Sequence, residues 1–216
     1  MRHLVIIGAR GWGREVFAQA HDTAAYRAGE YDFKGFLDDK RDALDDYPSP
    51  FGTYPPILGP VDAYEPDKDD VFFCALGDPK WRRHYAEKIL AKGGEFINVI
   101  MPLARVSPSV KLGKGIIIGP WCGISTNVEI GDFTIVHPFT IMGHDVKIGS
   151  FCTIESYSFF GGYSAIGDGT TMHVRSSIIP HKRLGKDVVV GVGSAVMRNF
   201  GDGIHLFGNP AKKIEF

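Results

Sequence analysis

The feature that most constrains this chain is a strict six-residue period in its second half. Every sixth residue from Val106 is aliphatic, Met or Phe: Val106, Leu112, Ile118, Ile124, Ile130, Val136, Met142, Ile148, Ile154, Phe160, Ile166, Met172, Ile178, Leu184, Val190 and Val196. If such residues fall at about one position in three, the chance of this run is on the order of 10⁻⁸. A helix repeats every 3.6 residues and a strand every 2, so neither produces a strict six; a solenoid does. Four residues after each large side chain stands a small or β-branched one, as in Cys122, Val128, Thr134, Thr140, Val146 and Cys152. Glycine often follows the large residue directly, as in Gly113, Gly119, Gly131, Gly143 and Gly149. Each hexad therefore predicts one short extended face and one corner, with glycine serving the corner's backbone angles and a narrow interior taking one large and one small side chain per face. Three faces make a triangular coil of 18 residues. The hexads predict an all-β parallel β-helix of about five coils over 103–200, with 201–216 covering its open end.

Residues 1–102 follow different rules. Leu4–Ile7, Phe33–Leu37, Val71–Leu76 and Phe96–Ile100 read as strands, and Arg14–Arg27 and Trp81–Lys92 as helices. Val16, Phe17, Ala20 and Ala24 fall on one face of the first helix. A loop rich in Pro, Asp and Tyr separates the second and third strands. The β-α-β…β-α-β alternation predicts a small α/β, Rossmann-like half-domain with a parallel sheet. Gly8, Gly11 and Gly13 form a turn between the first strand and helix, where main-chain amides suit a phosphate. The spacing is not that of a dinucleotide site, and Asp38 lies farther along than such a site requires.

Composition removes several function classes. The 24 basic and 25 acidic side chains nearly balance, and no basic patch interleaved with aromatics stands out, so no nucleic-acid partner is expected. Three cysteines, Cys74, Cys122 and Cys152, lack paired spacing and argue against a disulfide framework or a Cys-based zinc site. The apolar run after Met1 is too short for a signal peptide or a membrane span, so no membrane association and a cytoplasmic location are expected.

The hexad signature resembles that of the left-handed β-helix acyltransferases, and Gly208-Asn209-Pro210-Ala211-Lys212 is similar to an ending common in that family. The segments Ile7–Gly13, Phe36-Leu37-Asp38-Asp39 and Ala75-Leu76-Gly77-Asp78 extend the likeness to nearly the whole chain. The narrower resemblance is to sugar acetyltransferases of the sialic acid O-acetyltransferase and UDP-4-amino-sugar N-acetyltransferase type. It implies a left-handed coil, a homotrimer, acetyl-CoA in a groove between neighbouring β-helices, and a nucleotide sugar or sialic acid as acceptor. It also implies that 1–102 binds the nucleotide sugar, with Asp38, Asp39 and Gly77 at that site beside the three glycines of the turn. The family's histidine-acid pair falls on His144-Asp145. Thr153 stands where some relatives carry a second histidine, and Asp145 where others have Glu.

The chemistry suits these residues. Imidazole titrates near operating pH and can take the acceptor's proton, and Asp145 can fix its tautomer. Gly162, one coil beyond His144, is expected to offer its amide to the acyl oxygen; a corner glycine kept for its backbone angles is the plain alternative. Gly191, Val192 and Gly193 are candidates for the pantetheine slot. Lys212, with Arg183, Lys186 and Lys213, is a candidate for the coenzyme phosphates, and a solvated basic face accounts equally well for each.

Two rival classes are weaker. β-Helix carbonic anhydrases hold zinc with three histidines. His137 and His173 are two coils apart, but Met142 and Ile178 stand where a close-spaced third ligand is needed, so no metal is expected. A non-catalytic nucleotide-sugar-binding trimer would have no need of the His144-Asp145 pair. Between N- and O-acetylation the expectation favours the amine of a nucleotide-linked amino sugar.

Overall fold

The computed structural model describes residues 1–215 and separates into two compact units, dividing after Pro102. In the first unit, β1 (Arg2–Ile7), β2 (Tyr31–Leu37), β3 (Ile57–Gly59), β4 (Asp70–Cys74) and β5 (Glu95–Phe96) form a parallel sheet in the order β3-β2-β1-β4-β5. Central parallel strands are covered on both faces and so are apolar throughout. Leu4–Ile7 and Val71–Cys74 accordingly are all 2% exposed or less. The strand order reverses between β1 and β4, and in sheets of this kind ligands bind outside the carboxyl ends at that reversal.

Several boundaries differ from expectation. The single helix over 14–27 is two, α1 (Gly11–His21) and α2 (Ala24–Arg27). Thr23 causes the break: its hydroxyl donates to the Ala20 carbonyl at 2.8 Å and accepts from the Tyr26 amide at 3.2 Å, closing one helix and capping the next. Ala24 consequently leaves the buried face that holds Val16, Phe17 and Ala20. The third helix, α3 (Pro79–Ala91), starts earlier than expected because Asp78 caps it, accepting from the amides of Lys80 and Trp81 at 2.8 and 3.1 Å. The Pro-rich loop contains β3, too short to show a period. The last expected strand splits into Glu95–Phe96 and Val99–Ile100.

The second unit is a parallel β-helix. Among the described residues, sixteen two-residue strands run from Arg105–Val106 to Ala195–Val196 in three parallel sheets. Partners are 18 residues apart, as in Gly123↔Ile141, Glu129↔Lys147 and Ile135↔Thr153. The large residue of each hexad is the second of its strand and points into one continuous core. Hydroxyls at the small interior position bond main-chain carbonyls: Thr134 to Gly149 at 2.9 Å, Ser158 to Glu155 at 2.7 Å and Thr170 to Gly185 at 3.0 Å. The narrow interior thus holds polar atoms without leaving these unsatisfied.

The role expected of the glycines is corrected. The left-handed corner residue is the third after the large one, and it is mostly not glycine. Eleven non-glycine residues, including Trp121, Phe139, Asp145, Tyr157 and Tyr163, adopt φ between 53° and 63° there. That conformation costs roughly 1–2 kcal/mol each. Stacking along the corners offsets part of it: Trp121 on Phe139 (4.9 Å, 8°), Phe139 on Tyr157 (4.8 Å, 2°) and Phe133 on Phe151 (4.9 Å, 13°), at about 0.5–1.5 kcal/mol per pair. The glycines directly after the large residue answer to clearance instead. A Cβ on Gly131 would lie 2.6 Å from the Ser150 amide nitrogen, and one on Gly149 2.5 Å from that of Asp168.

After the last coil, His205–Phe207 continues the ladder beside Val189–Val190, and Lys212–Ile214 folds back antiparallel on it. Leu206 and Ala211 close the end of the core. Phe216, the last residue of the expected cover, lies outside the described residues. Among the described residues no helix is long and apolar enough to cross a membrane.

If clearance between coils sets these glycines, Gly131→Ala will lower unfolding free energy by about 1–3 kcal/mol. Gly201→Ala, where an added Cβ meets nothing within 4 Å, will be close to neutral. Denaturant titration of both variants checks this; equal effects would contradict it.

Candidate active site

His144 and Asp145 lie at the corner that follows the strand Ile141–Met142. Asp145 is the left-handed corner residue, with φ 59°, a conformation that Asp tolerates better than most. His144 Nδ1 is 2.9 Å from Asp145 Oδ2. An ionised carboxylate only accepts, so the ring proton is assigned to Nδ1 and the Nε2 lone pair is left outward. The hydrogen bond from His144, above all, holds the Asp145 carboxyl below the usual range; desolvation opposes this, and Asn127 and Tyr163 add to it. Asn127 Nδ2 donates to the other carboxylate oxygen at 3.3 Å.

Gly162 sits directly beneath the imidazole. A Cβ there would be 2.8 Å from His144 Nε2, so any larger residue would displace the ring. Among the described residues the Gly162 N–H has no acceptor, which leaves one main-chain donor beside the Nε2 lone pair. Tyr163 meets His144 edge-on (5.0 Å, 85°) and stacks on His181 (5.0 Å, 12°). A cavity of about 390 Å³ beside the pair is lined by Asp145, Lys147, Tyr163, Ala165, His181 and Arg183.

Sequence reasoning missed Asn127, Tyr163 and His181. Their signal was the coil length: with Asp145 they form the column 127, 145, 163, 181, spaced by 18. His144, Asp145 and Gly162 are brought together as expected from their spacing. Gly191, Val192 and Gly193 are not. They follow a strand of the sheet that contains Ile135–Val136, whereas His144 follows one of the sheet that contains Gly123–Ile124, so they occupy a different corner of the same prism. Lys212 lies in the exposed end strand, and Lys186 pairs with Asp168 at 3.4 Å. At the corner shared with Gly191, Glu155 accepts from His173 Nδ1 at 3.1 Å and from the Val174 amide at 2.9 Å. No group of three or more His, Cys, Asp or Glu among the described residues is placed to hold a metal. The corner stack of Trp121, Phe139 and Tyr157 adjoins Ile141 and Phe159 on the next sheet, and all five are between 38% and 53% exposed.

In the first unit, a cavity of about 340 Å³ opens at the carboxyl ends of β1, β2 and β4. Gly8, Gly13, Asp38, Asp39 and Gly77 line it, with Arg10, Trp12 and Tyr85 and apolar walls from Leu37, Val61 and Leu76. Gly8 has φ 94°, and a Cβ on Gly13 would overlap the Gly8 carbonyl, so both are fixed by the turn. Gly11 does not line this cavity; it faces an adjacent depression with Arg14 and Lys40. Asp38 has a structural duty, since its oxygens accept from the Ala9 and Lys40 amides, each at 3.0 Å. It ties the glycine turn to the end of β2.

Residues 3–89 match the family model of the PglD N-terminal domain, and residues 127–162 match that of the bacterial transferase hexapeptide (six repeats). No curated protein matches the chain. Among solved structures, PerB from Caulobacter crescentus in complex with CoA and GDP-perosamine is 27% identical, with a TM-score of 0.86 over 100% of this chain and 98% of that one. A histidine-to-alanine variant of the Caulobacter GDP-perosamine N-acetyltransferase, also with CoA and GDP-perosamine, is 26% identical with a TM-score of 0.85 over the same shares of the two chains. The acetyltransferase domain of PglB from Neisseria gonorrhoeae in complex with acetyl coenzyme A is 25% identical, with a TM-score of 0.71 over 99% of each chain.

Because the bond from His144 is the largest influence lowering Asp145, His144→Ala will move the Asp145 carboxyl up toward the ordinary carboxylate value. Carboxyl NMR across an acid titration reads this directly. An unmoved Asp145 would mean that the two side chains do not form a pair in solution.

Proposed function

We propose that this chain, a hexapeptide-repeat sugar acetyltransferase with a PglD-type N-terminal domain, transfers acetyl from acetyl-CoA to the amino group of a nucleotide-linked amino sugar. The observation that carries the reading is the His144-Asp145 pair with Nε2 directed outward over Gly162. The similarity to a Caulobacter enzyme solved with CoA and GDP-perosamine, and to a PglB domain solved with acetyl coenzyme A, supports the choice of co-substrates. The cavity at the carboxyl ends of β1, β2 and β4 is assigned to the nucleotide, with Asp39 and the glycine turn as its contacts.

The acceptor nitrogen, unprotonated, attacks the thioester carbonyl carbon. As the C–N bond forms, His144 Nε2 takes the nitrogen's proton and Asp145 stabilises the resulting imidazolium. The Gly162 N–H donates to the developing oxyanion. The C–S bond then breaks, and the thiolate leaves with a proton returned from the imidazolium.

The working species is a closed homotrimer of left-handed prisms in a cytoplasmic setting. Sixteen strands in three ladders support about five coils, with 201–216 as the cap. The exposed strip of Trp121, Phe139, Ile141, Tyr157 and Phe159 supports a buried face between copies. Such packing offers a groove with His144 on one copy and Gly191, Val192 and Gly193 on the next, with Lys212 and Arg183 as candidates for the coenzyme phosphates.

Acetyl-CoA consumption across a panel of nucleotide-linked 4-amino sugars and free sialic acids tests this. Turnover is expected with an amino sugar, by a species that sediments as a trimer. Turnover confined to sialic acids would reassign the acceptor to a hydroxyl, and a fully active monomer would remove the shared groove.

A further inference from the structure

Among the described residues, Arg82 is the largest side chain with no exposed surface. A guanidinium keeps its charge at any physiological pH, so its burial needs hydrogen-bond partners. Its Nη1 donates to the Leu76 carbonyl at 2.7 Å and to the Gly77 carbonyl at 2.9 Å. Both acceptors belong to the loop between β4 and α3, and Leu76 and Gly77 both line the cavity of the first unit. Arg82 itself lies on α3, three residues before Tyr85, which lines the same cavity. One side chain therefore ties together two walls of the cavity from behind, without reaching it.

The two hydrogen bonds also set the direction of two peptide planes. In a trans peptide the N–H points opposite to the C=O. With the carbonyls of Leu76 and Gly77 drawn toward the guanidinium, the N–H groups of Gly77 and Asp78 are directed the other way, away from Arg82, and of these two residues Gly77 lines the cavity. Successive main-chain N–H groups presented in this way suit an anion, and the buried cation behind them adds a favourable field. One nitrogen, Nη1, holds both carbonyls; a lysine would put in its place a more strongly hydrated ammonium, which costs more to bury there.

We infer that Arg82 is a positioning residue for the nucleotide cavity, holding the Leu76–Asp78 main chain so that its amides receive the acceptor's diphosphate. The inference rests on the assignment of that cavity to a nucleotide and adds the residue that shapes its phosphate end. Arg82 does not touch the ligand.

Calorimetric binding of GDP and UDP, beside guanosine and uridine, to the full-length protein tests it, using wild type, Arg82→Gln and Arg82→Lys. Wild type is expected to bind one of the two diphosphates. Arg82→Gln should weaken that binding by about tenfold, as expected for loss of a charge-assisted contact. The corresponding nucleoside should lose much less, and the KM for acetyl-CoA should not move. Arg82→Lys should fall between, and it carries the test alone if Arg82→Gln does not fold. A diphosphate affinity within a few-fold of wild type in the folded variants overturns the inference, as does an equal loss for nucleoside and diphosphate. Wild type binding neither diphosphate overturns the nucleotide assignment itself, an outcome distinct from a wild type that binds and a variant that binds equally well.

Discussion

The spacing between successive coils governs everything in the second unit. Main-chain hydrogen bonds along three parallel ladders hold neighbouring coils at the strand-to-strand distance of about 4.8 Å. At that distance a Cβ is excluded at Gly131, Gly143 and Gly149, where the next coil's main chain lies against the residue after the large core side chain, while Ser125, His137 and Glu155 take the same position in other hexads. The same spacing stacks like on like, which lets rings accumulate at the corners and repay part of the left-handed backbone they occupy. It also builds the candidate site: His144 finds Gly162 beneath its Nε2 because the two are 18 residues apart, one coil, and Asn127 finds Asp145 by the same offset.

The two units present different chemistry from the same polypeptide. The first is an open parallel sheet with a cavity at its carboxyl ends, where Asp38 and Arg82 hold loops and Asp39, Gly8 and Gly77 face the space. The second is a rigid stack whose corners carry side chains at fixed heights. Precise placement of an acid-base pair is easier on such a stack than on a mobile loop, because each corner is fixed by the coils above and below it.

The β-helix was legible in the sequence because its period is strict: core positions, ladder offset and the place of His144 all follow from counting by six and eighteen. The glycines were misassigned for a physical reason. Close approach between coils and left-handed backbone both select glycine, and only the φ values separate them. Asn127, Tyr163 and His181 were missed because a corner column mixes residue types, so it has no hydrophobic period to find. In the first unit the strand and helix order was readable, but β3 was too short to show a pattern. The break at Thr23 depends on a side-chain hydrogen bond that competes with helix propensity. The duty of Asp38 and the buried position of Arg82 depend on residues far apart in sequence, which local patterns do not encode.

The proposed transfer turns on the imidazole of His144 removing the acceptor's proton. Its test is kcat of the folded His144→Ala variant with a nucleotide-linked amino sugar at saturation. A loss of about 10²–10⁴ is expected, the range for a positioned general base, with the KM for acetyl-CoA little changed. Activity within a few-fold of wild type would contradict it and leave His144 as a corner residue with no part in the chemistry.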